Sequence, residues 1–266
     1  MSDDAFIRFG HVDFRYALRD REGPFILKDF ELAIAQGEFY MLLGPSGCGK
    51  TTALNLLAGF DHPTAGEVAV DGAPVAGPGV ERVVIFQGDD SLYPWLTAQE
   101  NIEFGLKMAG GRTDERRRKA AEYLQVVGLE GQGHKFPAQL SGGMKQRIQI
   151  ARALVCESRI LLMDEPFAAA DAQTRSILQD ELASIQRRTH RTVLFITHDI
   201  AEAILLADRI GVMRAGPASA VKEEITVDLP RPRRRGAPEF GALYDRIQAI
   251  LSDEVNKVLR TERTRG

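Results

Sequence analysis

Apolar residues fall into short runs that alternate with stretches of helical period along most of the chain. Residues 6–16 and 30–34 read as strands parted by a polar turn near 19–24. Residues 38–43 are almost continuously apolar, the mark of a strand buried on both faces, and they run into a glycine-rich loop. A helix is predicted over 50–58, stopped by Gly59. Residues 66–72 alternate between glycines and predict a surface strand, and 83–86 predict a short buried one. Farther on, 160–163, 192–196 and 210–213 predict strands, while 171–190 and 200–207 predict helices. The longer helix carries Leu178, Leu182 and Ile185 on one face. Strand alternating with helix argues for an α/β fold with a mostly parallel sheet.

Residues 97–140 differ in texture: charged, helix-rich and without strand candidates, they predict an all-helical insert. Thr113 can cap a helix whose first turn holds Asp114 and Glu115, and the basic run 116–119 reads as its solvated face. Past Ala215 the pattern thins. Residues 230–235, rich in proline and arginine, read as an extended linker whose basic cluster is either solvated or set against anionic lipid or a partner. A last amphipathic helix fits Tyr244, Ile247, Leu251, Val255 and Val258. The division predicted is a body over 1–215 and an extension over 216–266.

Composition narrows the picture. The chain has 266 residues, 44% hydrophobic and 27% charged, with a net charge of −3, which argues against a bulk nucleic-acid binder. No apolar run approaches the roughly 20 residues of a membrane span, and the start, Met1-Ser2-Asp3-Asp4, lacks the order of a secretory signal. Two cysteines, Cys48 and Cys156, make no disulfide framework. A cytoplasmic protein is expected.

Candidate chemistry starts at residues 44–51, GPSGCGKT, the pattern G-x-x-x-x-G-K-[ST] with Thr52 following. It sits between a strand and a helix, where glycines let backbone N–H groups turn onto a phosphate chain and the helix start adds positive potential. Gly44, Pro45, Ser46, Gly47, Cys48 and Gly49 form the cradle. Lys50 can reach the β/γ-phosphates, and the Thr51 hydroxyl can ligate Mg²⁺. Cys48 reads as a small filler. Residues 160–166, ILLMDEP, end an apolar strand in two adjacent carboxylates, which calls for a cation. Asp164 would hold Mg²⁺ and Glu165 would poise the attacking water. Residues 140–144, LSGGM, precede a helix, with Ser141 a good N-cap and Gly142 and Gly143 exposing backbone at a second anion-binding helix start.

In order and spacing these motifs, together with Gln87 and His198, resemble an ATP-binding cassette ATPase over roughly residues 6–213. The resemblance implies a P-loop NTPase core with an N-terminal antiparallel β subdomain. It further implies two cassettes paired head to tail around two ATPs, each phosphate loop facing the other copy's Ser141-Gly142-Gly143. Tyr16 is similar to the adenine-stacking aromatic, with Phe14 as its rival. Gln87 is similar to the glutamine that contacts Mg²⁺ and the lytic water, His198 to the γ-phosphate-sensing histidine, and Asp171 to the aspartate that crosses the dimer interface. Two positions depart from the family pattern. Met144 stands where glutamine is usual, and residues 168–171 read AAAD where the family often has a serine.

Only 91 residues separate Lys50 from Ser141, too few for the long coiled coil of the DNA-repair cassettes. Transport is therefore favoured over the alternative, a cassette acting on DNA or ribosomes. With no span in the chain, a separate permease would be recruited, and Leu92, Tyr93 and Trp95 are the candidate contacts. The Pro94-Trp95-Leu96-Thr97 phrase, Met144 and residues 228–233, DLPRPR, resemble the nitrate/sulfonate/taurine importer ATPases, although the 87–94 gap, with Asp89 and Asp90, is one residue longer. The resemblance implies a second cassette (this chain or a paralogue), permease subunits, an external substrate-binding protein, no nucleic acid, and a place on the inner face of the membrane.

Overall fold

The computed structural model describes residues 5–18, 21–86, 92–168 and 170–263. In chain order the elements are β1 Ile7–Phe14, β2 Ala17–Leu18, β3 Arg21–Glu22, β4 Leu27–Ile34, β5 Phe39–Leu43, α1 Lys50–Ala58, β6 Ala65–Val70, β7 Ala73–Pro74 and β8 Arg82–Ile85. There follow α2 Ala98–Met108, α3 Thr113–Val126, a 3-10 turn Pro137–Gln139, α4 Gly142–Val155, β9 Ile160–Asp164 and α5 Ala172–Thr189. The chain closes with β10 Thr192–Ile196, α6 Ile200–Leu206, β11 Arg209–Met213, β12 Val221–Thr226 and α7 Pro238–Arg263. The class is α/β, as the alternation predicts. Two compact units are formed, Met1–Gly79 with His190–Gly266, and Val80–Thr189.

The first unit holds two larger sheets and the short antiparallel pair β2–β3. One is antiparallel, in the order β4-β1-β6-β7, its inner face built by pairs such as Phe9↔Leu32 and Phe9↔Val68, with Phe9 and Phe30 edge to face at 5.3 Å. Residues 66–70 do not alternate as predicted, because the first half of β6 is exposed and the second half buried. In the second sheet β10, β5 and β11 run parallel, with β12 antiparallel on the edge. All five residues of β5 are buried.

Strand β12 was not predicted, because VKEEIT reads as charged surface. Its Glu224 accepts a 2.6 Å bond from the buried Tyr40 hydroxyl and a 3.0 Å bond from Arg209. Charged side chains are normal on an edge strand.

The extension is not a solvated linker. Arg231 and Arg233 lie against the end of α6, and burial together with Arg231 brings Arg233 down to about 10. It therefore stays cationic at neutral pH. Arg234 and Arg235 remain exposed. Helix α7 packs on α6 and β11 through Phe240 and Ile247, whereas Val255 is 43% exposed, contrary to the predicted face. The side chain of Val258 lies outside the described residues. Glu254, 1% exposed, takes Val255's place inward. Its carboxylate meets Lys222 at 2.8 Å, Lys257 at 2.6 Å and the Ala215 N–H at 2.8 Å.

In the second unit β8 and β9 pair in parallel, Ile85 opposite Met163. Ile102, Ala120, Leu124, Ile148, Ala151 and Val155 bind α2, α3 and α4 into one apolar cluster. The cap of α3 is Arg112, and Thr113 is its first helical residue. Two members of the basic run are docked rather than solvated: Arg116 donates to the Gly111 carbonyl at 2.5 Å and Lys119 to Glu157 at 2.7 Å. Among the described residues no helix is long and apolar enough to cross a membrane.

Glu254 supplies a pH test. Burial raises its pKa, but the bonds from Lys222, Lys257 and Ala215 outweigh burial and bring it down to about 2, from 4.5. Its contribution is thus complete above about 4.5 and disappears as pH falls toward 2. Glu254→Gln should cost about 2 kcal/mol at pH 7 in urea denaturation, and the difference from the parent should shrink below pH 4.5.

Candidate functional site

The phosphate loop grows out of β5. Gly44 follows its last residue, where a Cβ would meet Cys48 Sγ at 2.8 Å and Met213 Cβ at 3.0 Å, so only glycine fits. At Gly49 a φ of 97° and Leu27 at 2.8 Å make the same demand. Gly49 is the N-cap of α1, with no side-chain cap and no acid in the first turn, which leaves the first amides of the helix for an outside acceptor. Ser46 and Gly47 are exposed at the rim, next to the half-buried Pro45.

Lys50 is 8% exposed, and its Nζ donates to the carbonyls of Gly44 at 2.8 Å and Pro45 at 2.9 Å. The ammonium is therefore held over the loop by the loop's own backbone. Thr51 is exposed and Thr52 buried. Cys48 is fully buried against Met213, a filler as expected, and burial pushes its thiol up despite the Lys50 ammonium at 3.8 Å.

Register brings a second group to this edge. Ile196 of β10 pairs with Leu42 of β5, and the Thr197 N–H bonds the Leu42 carbonyl at 3.4 Å. His198 comes next, exposed, just ahead of the Asp199 cap of α6. Thr197 is 2% exposed and its hydroxyl accepts the Asp199 N–H at 3.1 Å, which fixes the bend that presents His198. Sequence reasoning passed over Thr197, and a hydroxyl between strand and helix was the available signal.

Tyr16 is 48% exposed and stands edge-on to Phe14 at 4.9 Å, whereas Phe14 is in the core. Burial and the nearby Asp61 carboxylate raise the pKa of the Tyr16 hydroxyl.

In the second unit β9 ends at Asp164, 7% exposed. Glu165 follows, half-buried, with a left-handed φ of 45°. Such strain in a non-glycine residue needs support from its surroundings. Support comes from α4, where the buried Gln146 donates its side-chain amide to the Pro166 carbonyl. Ser141 caps α4 by accepting the Met144 N–H at 3.3 Å, with no acid in the first turn. Above Gly143 no atom lies within 4 Å of a would-be Cβ, so packing does not demand this glycine.

Arg147 donates to Thr174 at 2.8 Å, and Asp171 caps α5 by accepting the Thr174 N–H at 3.0 Å. The Thr174 bonds hold the Asp171 carboxyl below its ordinary value. Gln146 and Arg147 were not singled out from sequence, although polar residues on the inner face of a capped helix were visible. Gln87 lies outside the described residues, beyond β8.

A family model for ABC transporters matches residues 27–168. The chain is 48% identical over 234 residues to an uncharacterized ABC transporter ATP-binding protein of Methanocaldococcus jannaschii, covering 88% of this chain and 87% of that one. The chain belongs to the ABC transporter ATP-binding family. This cassette is also 45% identical over 243 residues to a nitrate import ATP-binding protein of Synechococcus elongatus, 90% of this chain and 84% of the relative. A dimeric ATP-binding cassette, solved in a post-hydrolysis state with ADP and Pi, superposes with a TM-score of 0.75. It is 32% identical and covers 84% of this chain and 100% of the other. The protein is an ABC ATPase that binds nucleotide.

The surroundings of the two thiols set their order of reaction. Cys156 is half-buried and Cys48 buried with a raised thiol. In native protein at pH 7.5 a chromogenic disulfide reagent should modify Cys156 at least about tenfold faster than Cys48, the gap closing in denaturant. Comparable native rates would contradict the burial of Cys48.

Proposed function

We propose that this cassette is the ATP-hydrolysing subunit of an importer of the nitrate, sulfonate and taurine kind. It would work as a head-to-tail pair on the inner face of the membrane, beneath separate permease subunits served by an external binding protein. The observation that carries the reading is the pair of acid-free, glycine-bearing helix starts, at α1 and α4, within one chain. Each is suited to phosphate, and pairing two copies gives the second start a phosphate to face. The import direction draws on the nitrate import relative. Helices α2 and α3 are 11 and 14 residues long, which disfavours the DNA-repair alternative and its long coiled coil.

In this reading the α1 amides and Lys50 bind the β/γ-phosphates and Tyr16 stacks on adenine. Glu165 orients the attacking water, and His198 and Gln87 attend the γ-phosphate. Mg²⁺ would be held by Thr51, Asp164 and Gln87. These are hard oxygen donors of the kind the ion takes, and bound there it would neutralise charge developing on the phosphates. Ser141, Gly142, Gly143 and Asp171 face the other copy.

The permease contact is narrower than the sequence implied. Leu92 is 5% exposed inside the α2–α4 cluster, so it is a packing residue and not a contact. Trp95 is 69% exposed, with the Tyr93 ring at 5.5 Å, and Tyr93 packs at 4.5 Å on Phe104 with the two rings inclined at 46°. Met108, one turn beyond Phe104, is 64% exposed. Buried Asn101 holds this segment by accepting from the Tyr93 N–H and donating to the carbonyls of Tyr93, Leu96 and Thr97. A rigid aromatic platform of this kind suits a short permease helix.

Glu165→Gln should lower ATP turnover at least about a hundredfold while nucleotide binding persists and MgATP stabilises the dimer, read by phosphate release and light scattering. Turnover at the parental rate would remove Glu165 from the chemistry. Trp95→Ala should lose co-purification with the permease from solubilised membranes while the isolated cassette still binds ATP.

A further inference from the structure

The C-terminal extension grips the far end of the helix that begins beside His198. Helix α6 has seven residues, about 10 Å of length, with Asp199 as its cap. A helix leaves its last four carbonyls without internal partners. Here two arginines from the linker after β12 take them. Arg233 Nη1 donates to the carbonyls of Ile204 at 2.8 Å, Leu205 at 3.4 Å and Ala207 at 2.5 Å. Its Nη2 donates to the Val227 carbonyl at 2.8 Å and its Nε to that of Leu229 at 3.2 Å. Arg231 Nη2 donates to the Leu206 carbonyl and to Asp208, both at 2.8 Å.

Asp208 carries the grip one element further. Its other carboxylate oxygen accepts the Phe39 N–H at 2.9 Å, and its own N–H donates to the Phe39 carbonyl at 2.8 Å. Phe39 opens β5, the strand that ends at Gly44. One pair of arginines thus fixes the C-terminal end of α6 and, through Asp208, the N-terminal end of β5. The opposite end of β5 carries the phosphate loop, and the opposite end of α6 carries the bend Thr197-His198-Asp199. Any slide or rotation of α6 along its axis must first break the bonds at 204–207.

We propose that Arg233, assisted by Arg231, is a positioning residue for His198. It holds α6 in the one axial setting that places the histidine beside the phosphate loop, and so makes the C-terminal extension part of the hydrolytic apparatus. The proposal rests on the reading of His198 as the γ-phosphate contact.

The test uses the full-length protein and its variants, with rates normalised to bound nucleotide. Arg233→Ala should lower kcat for ATP by about tenfold and leave KM within about twofold. Arg233→Lys, which keeps the charge but not the fork, should recover part of the loss. In a His198→Ala background Arg233→Ala should cost nothing more, since the two act through one group. The histidine ring resonance of His198, measured by NMR, should move in Arg233→Ala. An equal loss of rate in the His198→Ala background, or an unmoved resonance, overturns the proposal. Full turnover by His198→Ala overturns instead the site reading on which it rests, and the resonance still decides whether Arg233 sets the histidine.

Discussion

One buried strand with a parallel neighbour on each side is the constraint on which the ligand edge depends. Phe39–Leu43 pairs with β10 through Ile196↔Leu42 and with β11 through Val212↔Leu43. Because all three run the same way, the residues that follow them open on one edge, as in other parallel α/β sheets. Gly44, His198 and Met213 are neighbours for that reason. All five residues of β5 are buried, and its one polar side-chain atom, the Tyr40 hydroxyl, is satisfied by Glu224 at 2.6 Å. The arrangement also brings Met213 so near Gly44 that no side chain fits between them. A shift of one residue in the pairing with β10 would take His198 out of register with Gly44, and one in the pairing with β11 would do the same to Met213.

The charges at the helix starts follow from the same edge. Acids at a helix start are stabilising, and this chain uses them freely where no anion is to be bound: Glu100 in α2, Asp114 and Glu115 in α3, Glu202 in α6. Helices α1, α4 and α5 have no acid in the first turn, but α5 is preceded by Asp171, whose carboxylate accepts the Thr174 N–H. Helix α1 has a glycine in the left-handed region for a cap and nothing acidic in its first turn. Helix α4 has only the Ser141 hydroxyl. Both forgo a stabilisation of about 0.3–1 kcal/mol per acid that neighbouring helices take. A carboxylate there would repel phosphate, so the omission is what the proposed phosphate role of these two helix starts requires.

What could be read from sequence follows the physical range of each signal. The phosphate loop, the Asp164–Glu165 strand end and the Ser141 cap depend on contiguous residues whose geometry is local, and residue types alone disclosed them. The buried strands were legible because parallel sheet needs apolar runs. Strand β12 was hidden because its charges are satisfied by Tyr40 and Arg209, contributed from other strands. Leu92 reads as surface next to Trp95, yet it belongs to a cluster formed by helices up to 60 residues away. In α7 the inward position falls to Glu254 rather than Val255, since Lys222 and the Ala215 N–H from other segments, with Lys257 of the same helix, make the carboxylate the better buried group. Periodicity ranks side chains by their own polarity and has no access to such partners.

Arginine at 231 and 233 shows the same limit from the opposite side. By composition a Pro-Arg stretch is a solvated linker, and extended backbone with proline at 230 and 232 has few internal bonds to offer. That lack is what makes it suitable as a clamp. An extended segment leaves its guanidinium forks free to satisfy carbonyls elsewhere, and α6, ending without an αL glycine cap, has carbonyls to satisfy. Each side resolves the other's deficit. Burial and Arg231 lower Arg233 only to about 10, so its charge, and with it the bonds, persists throughout the range in which the cassette would hydrolyse ATP. Glu254, paired with two lysines, anchors the helix beyond. The extension is thus held at both ends by charge and hydrogen bonding, with Phe240 and Ile247 packed between, and it behaves as an integral layer of the unit that carries the phosphate loop.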